Sequence, residues 1–110
     1  MISGIGCDIV AISRFTGDKR ESLANRILTH EELKIFQTLN EIRKSEWLAG
    51  RFAAKEAVFK ALKQAIPITQ IAILSTSDGV PYASIEGYDI QLSISHDETS
   101  AIAVAIAEKH

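Results

Sequence analysis

The sequence predicts an α+β domain, with an N-terminal strand and helices followed by an antiparallel sheet packed on a long helix. Three observations predict it. Residues 29–63 carry a capping box and extended helical periodicity. Residues 88–96 and 100–107 alternate at every second position, as half-buried strands do. Asp78-Gly79 and Asp97-Glu98 place turn residues between strand-like runs. The length, 110 residues, fits one domain with one core. No internal repeat, linker or low-complexity stretch divides it.

The first element is a strand over residues 2–9, ISGIGCDI. Ile2, Gly4, Gly6 and Asp8 share one face, and Ser3, Ile5, Cys7 and Ile9 the other. A helix through Ile12 and Phe15 follows, is interrupted at Gly17-Asp18, and resumes over Leu23 to Leu28. Thr29-His30-Glu31-Glu32 is a capping box, so a helix starts there and runs to about Leu39. The longest helix spans Glu41 to Lys63, and Pro67 lies beyond its end. Ile68 to Thr76 is β-branched, and Val80 to Ile85 completes a hairpin with it across Asp78-Gly79. Tyr88 to His96 and Ser100 to Ala107 are the last two strands. The latter sets Ile102, Val104 and Ile106 on one face and four alanines on the other. Such an alanine face admits close approach by a helix or a neighbouring subunit.

With 46% hydrophobic and 24% charged residues, the composition is that of a soluble globular domain, and no apolar run is long enough for a bilayer span. The N-terminus has neither the basic region nor the cleavage site of a signal peptide. The single cysteine, Cys7, has no internal disulfide partner, which points to a reducing, cytoplasmic setting. Residues 1–63 hold 11 Lys and Arg against 8 Asp and Glu, while residues 64–110 hold 1 against 6. A basic first half suits phosphates or an acidic partner. At 6% aromatic residues and without a nucleic-acid motif, nucleic acid is not the expected partner.

On the wheel of the long helix, Leu48, Phe52, Phe59 and Leu62 form the expected core stripe. Ala49, Ala53 and Ala57 fall on another side, with Glu56 and Lys60 among them. Spacing alone makes Glu56 and Lys60 a solvated i,i+4 ion pair, worth only about 0.2–0.5 kcal/mol. The alternative is a ligand-facing carboxylate and ammonium, with the alanines leaving room. Lys55 points into the apolar stripe, where it snorkels or closes a salt bridge. Asp8 reads as a turn or cap residue, or, paired with Glu56, as half of the two-carboxylate set that Mg²⁺ ordinarily takes from a protein. His96 reads as a core histidine, or as a phosphate or proton-transfer contact. Cys7 reads as a small core residue.

Three segments, GIGCDIVAISRF (4–15), AGRFAAKEAVFKAL (49–62) and LSISHDETSAIAVAIAE (92–108), resemble the signature regions of the holo-acyl-carrier-protein synthases, the single-repeat class of 4'-phosphopantetheinyl transferases. RILTHEEL (26–33) and RKSEWLAGRF (43–52) resemble that family too, so the likeness covers nearly the whole chain in order. It implies a 4'-phosphopantetheinyl transferase-like fold. It also implies Mg²⁺-dependent transfer of phosphopantetheine from coenzyme A to a serine of apo-acyl carrier protein, releasing adenosine 3',5'-bisphosphate, in fatty acid biosynthesis. By the resemblance, Asp8 and Glu56 are metal ligands and Lys60 contacts phosphate. His96 and Arg51 lie near the coenzyme A phosphates, and Arg14 and Arg26 dock the acidic carrier. Asp8, Glu56 and Lys60 are its catalytic set, and the implied assembly is a homotrimer with active sites between subunits.

Two departures qualify the resemblance. KQAIPITQ (63–70) stands where many members have a glycine-rich loop, and Gly79-Val80-Pro81 carries valine in place of lysine. Both imply weaker coenzyme A binding, or a 3'-phosphate that relies on Arg51. The segment around Thr16 to Arg20 also looks short for carrier docking. The alternatives are a non-catalytic carrier-binding relative and another Mg²⁺-dependent phosphoester enzyme.

Overall fold

The computed structural model describes residues 1–110. In chain order the elements are β1 (Gly4–Ala11), α1 (Arg20–Ile27), α2 (His30–Gln37), α3 (Glu41–Ala61), β2 (Leu74–Ser75), β3 (Pro81–Tyr82), β4 (Tyr88–His96) and β5 (Ser100–Lys109). The main sheet is antiparallel in the order β1-β5-β4, and β2 and β3 form a separate hairpin. The expected α+β architecture is therefore observed.

Register explains how the sheet is covered. Gly4, Gly6 and Asp8 pair with Ala107, Ala105 and Ala103, which pair in turn with Ile90, Leu92 and Ile94. Directly opposed residues share a face, so one side of the sheet is glycine and alanine at β1 and β5. α3 lies on this side. A Cβ added at Gly6 would stand 2.9 Å from both Ala57 C and Ala61 N and collide with the Ala57 carbonyl oxygen; one at Gly4 would collide with that of Ala61. Ala49, Ala53, Ala57 and Ala61 are buried against this surface.

The alanine stripe is thus the core contact of α3, a correction to the expected Leu48-Phe52-Phe59-Leu62 stripe. Leu48 and Leu62 are buried, but Phe52 is half-buried and Phe59 is 40% exposed. Where backbone approaches backbone, only small side chains fit, so residue size rather than hydropathy marks the inner face. The last-strand alanines lie under this helix. The opposite face of the sheet carries Ile5 (67% exposed), Ile9 (65%) and Ile102 (38%). Cys7, expected in the core, shares that outward face and is exposed.

The capping box forms as predicted: Thr29 Oγ1 accepts from Glu32 N at 3.4 Å, and Glu32 Oε1 accepts from Thr29 N at 2.8 Å. Residues 12–15 form a 3₁₀ turn rather than an α-helix, and Gly17 breaks the path with φ of 75°. α2 and α3 end two residues before the expected Leu39 and Lys63. Of the expected strand Ile68 to Thr76, only Leu74–Ser75 is strand, and of Val80 to Ile85 only Pro81–Tyr82. The reason lies in the partners. Ile71 and Ile73 are fully buried, and the Ile71 carbonyl and Ile73 amide bond to Lys55 and Glu32 instead of a neighbouring strand. Lys55 closes a buried salt bridge to Glu32 at 2.6 Å, with both side chains inaccessible to solvent. No helix is long and apolar enough to cross a membrane.

Gly6→Ala is expected to destabilise the protein by at least about 3 kcal/mol, because its new methyl meets helix backbone that has no room to move. Urea unfolding measures the loss; near-wild-type stability would mean that α3 does not sit this close.

Candidate active site

α3 carries candidate residues on two flanks. On the first, Lys60 reaches across to β1. Its Nζ donates to the Cys7 carbonyl at 3.0 Å and pairs with Asp8 Oδ1 at 3.2 Å. The close helix–strand approach makes this possible, because Gly6 lies against the turn that precedes Lys60. Asp8 Oδ2 is buried without a hydrogen-bond partner. Glu56, half-buried, stands one turn before Lys60. The i,i+4 pair expected from spacing does not form: Lys60 turns to Asp8, not Glu56.

Further along the same flank, the guanidinium of Arg14 lies 5.3 Å from the Phe52 ring centroid and 5.5 Å from that of Phe15. Arg14 and Arg26 border one cavity of about 350 Å³ with Phe52, Leu23 and Ile27. Phe52 is one turn before Glu56 on α3. The two arginines are brought together at an apolar hollow whose Phe52 wall lies one turn of α3 from the carboxylate. Phe52, expected in the core, belongs to this hollow.

The second flank holds Arg51 and His96. They line a cleft of about 380 Å³ with Arg43, Trp47, Ser75 and Pro81. Arg51 Nη2 donates to Ser75 Oγ at 2.8 Å, and its guanidinium stacks 4.6 Å from the Trp47 ring centroid. Its Nε is buried and unpartnered. Burial pushes the Arg51 guanidinium below its usual range, Glu32 opposes that shift, and Arg43 adds to it. His96 ends β4 on the helix side of the sheet, is exposed, and sets Nδ1 3.3 Å from the Asp97 carbonyl. Glu46 also lines the cleft and pairs with Arg43 at 3.8 Å, so Arg51 and His96 are the basic groups there without a carboxylate partner. A larger hollow of about 510 Å³ is lined by Glu86, Asp89 and Glu108 and has no basic side chain, so it does not suit phosphate.

The two flanks do not meet within one chain. Glu56 and Arg51 are five positions apart, about 140° round an ideal helix. The sequence alone did not mark Trp47 or Ser75. The i,i+4 spacing of Trp47 and Arg51 is a usable signal for the stack, whereas Ser75 comes from a distant hairpin and leaves none.

Residues 4–107 match the model of the 4'-phosphopantetheinyl transferase superfamily. The chain belongs to that superfamily. A holo-[acyl-carrier-protein] synthase of Staphylococcus saprophyticus is 46% identical, the match covering 98% of this chain and 99% of that protein. One from Oceanobacillus iheyensis is 40% identical, covering 98% of each. The crystal structure of a holo-(acyl-carrier-protein) synthase from Bacillus anthracis in complex with CoA (3',5'-ADP) superposes with a TM-score of 0.90 at 34% identity, over 100% of this chain and 99% of that one. The particular branch is thus that of the holo-[acyl-carrier-protein] synthases, which are phosphopantetheinyl transferases.

Proposed function

We propose that this protein transfers 4'-phosphopantetheine from coenzyme A to a serine of apo-acyl carrier protein, with Mg²⁺, releasing adenosine 3',5'-bisphosphate in support of fatty acid biosynthesis. The observation that carries it is the Asp8 carboxylate: one oxygen holds the ammonium of Lys60, and the other is buried and without a partner. A buried carboxylate oxygen left open favours a cation. No group of three or more His, Cys, Asp or Glu side chains gathers as a metal cage. Two carboxylates, Asp8 and Glu56, fit Mg²⁺, which fills its remaining positions with water and substrate phosphate. When bound, the ion neutralises pyrophosphate charge and polarises the attacked phosphoryl group.

The chain's own residues supply the rest. The carrier's serine oxygen bonds to the β-phosphorus as the bond from that phosphorus to the bridging oxygen breaks; the pyrophosphate oxygen leaves with adenosine 3',5'-bisphosphate. Glu56 takes the serine proton, directly or through a water. Lys60 releases Asp8 and meets the charge growing on the leaving phosphate. Arg51 and His96 hold the coenzyme A phosphates, and Arg51 answers for the lysine that Val80 replaces. Arg14 and Arg26 steer the acidic carrier to the hollow beside Glu56.

A homotrimer completes the site. The acid and lysine of one copy and the Arg51–His96 cleft of the next face a shared seam, which explains why the two lie on opposite flanks of one helix. Support comes from the uncovered sheet face with Ile5, Ile9 and Ile102, an apolar surface that a monomer rarely exposes.

Intact mass of apo carrier protein incubated with coenzyme A and Mg²⁺ should show a phosphopantetheine adduct that EDTA abolishes. Glu56→Gln should cut turnover about 100-fold or more while the fold stays intact; a near-wild-type rate at saturating Mg²⁺ removes Glu56 from the site. Binding without adduct indicates a carrier-binding relative, and coenzyme A breakdown without transfer indicates a hydrolase. Arg14→Glu should raise KM for the carrier about tenfold, equivalent to about 1.4 kcal/mol, and leave KM for coenzyme A nearly unchanged; equal changes would sink the docking role. Sedimentation should give three times the chain mass, and Ile102→Asp should lower it; a wild-type mass of one chain counts against the trimer.

A further inference from the structure

We propose that Glu32 is a positioning residue for Arg51, acting through the segment 71–75 that presents Ser75 to the guanidinium. This rests on Arg51 being a coenzyme A contact. A capping box needs only one carboxylate oxygen, and such boxes ordinarily sit at the surface. Here Glu32 is fully buried, which is unfavourable unless both carboxylate oxygens find partners. It finds three. Oε1 accepts from Thr29 N at 2.8 Å and from Lys55 Nζ at 2.6 Å, and Oε2 accepts from Ile73 N at 2.6 Å. Lys55 in turn donates to the Ile71 carbonyl. One buried ion pair therefore holds both a carbonyl and an amide of a segment that has little ladder of its own. The β2–β3 hairpin pairs only Leu74 with Tyr82 and Ser75 with Pro81.

Two residues past Ile73, Ser75 Oγ accepts from Arg51 Nη2 at 2.8 Å. The guanidinium is thereby fixed between a hydroxyl on one side and the Trp47 ring on the other. Glu32 also opposes the desolvation of Arg51 through space. Its carboxylate thus steadies the arginine twice, by charge and by anchoring the strand that holds it. Neither effect reaches the Asp8–Lys60 pair on the other flank, so loss of Glu32 should fall on coenzyme A and spare the carrier.

Calorimetric titration of coenzyme A and steady-state kinetics on the full chain test this with a mutant cycle. Ser75→Ala and Glu32→Gln should each weaken coenzyme A binding about fivefold, as loss of one hydrogen bond does. KM for the carrier should not change. In an Arg51→Ala background neither substitution should weaken coenzyme A further, because both act through that side chain. Additive losses, or equal rises in both KM values, overturn the proposal. If Glu32→Gln alone unfolds the chain by stranding the Lys55 charge, Glu32→Gln with Lys55→Met removes both charges and carries the same test. Should Arg51→Ala itself leave coenzyme A affinity intact, the reading of the cleft falls with the proposal. An Arg51 effect with additive Ser75 and Glu32 losses overturns the positioning alone.

Discussion

The contact of α3 with β1 and β5 is made by backbone and small residues, not by large side chains. Gly4 and Gly6 admit the carbonyls of Ala61 and Ala57, and alanines fill both sides of what remains. Glycine is what permits this approach, since a Cβ at position 4 or 6 would occupy the helix carbonyls. The consequence for the site is geometric. With the helix pressed against β1, a lysine on its flank spans to the strand and finds both the Cys7 carbonyl and the Asp8 carboxylate. An ordinary layer of leucine and valine would set helix and sheet about 10 Å apart and leave that ammonium in solvent.

Two lysines on the same helix show how burial separates a structural charge from a chemical one. Lys55 is sealed, paired with Glu32 and bonded to a carbonyl, and every oxygen of its partner is used. Burial lowers its proton affinity, and the Glu32 hydrogen bond and charge raise it again. Lys60 is half exposed, and its partner Asp8 keeps one buried oxygen open. A satisfied pair has nothing left to offer a ligand. An unsatisfied pair at the edge of solvent can exchange partners, which phosphoryl transfer requires of groups that follow moving charge.

Much of this was legible in the sequence where local physics decides the outcome. The capping box, the two long strands and the turns at Asp78-Gly79 and Asp97-Glu98 follow from hydrogen bonds among near neighbours. Asp97 Oδ1, for example, accepts from the amides of Thr99 and Ser100, each at 2.8 Å. What failed was decided by distant partners. Ile68 to Thr76 has strand composition, yet buried Glu32 and Lys55 take the backbone groups that a strand would have used. The core stripe of α3 was misassigned because a helical wheel weights large apolar residues, while a glycine-lined strand selects small ones. Asp8, Glu56, Lys60, Arg51 and His96 were named as one set, by resemblance to a family. The angle of about 140° between Glu56 and Arg51 on a helical wheel already separates the flanks, but which strand each flank faces depends on partners distant in sequence.

That division and the one-sided cover of the sheet have a single origin. A chain of this length has one long helix for one three-stranded sheet, so the second sheet face stays bare. The same helix separates the carboxylates from the anion cleft, since it must present alanine inward and has only its two flanks for charge. Both deficits are of the kind that a second copy supplies: apolar area for the bare face, and the missing half of the charge set for each flank. A contact that brings the Asp8–Glu56 flank of one copy against the Arg51–His96 cleft of another supplies the second need, since residues of one patch meet different residues of the other.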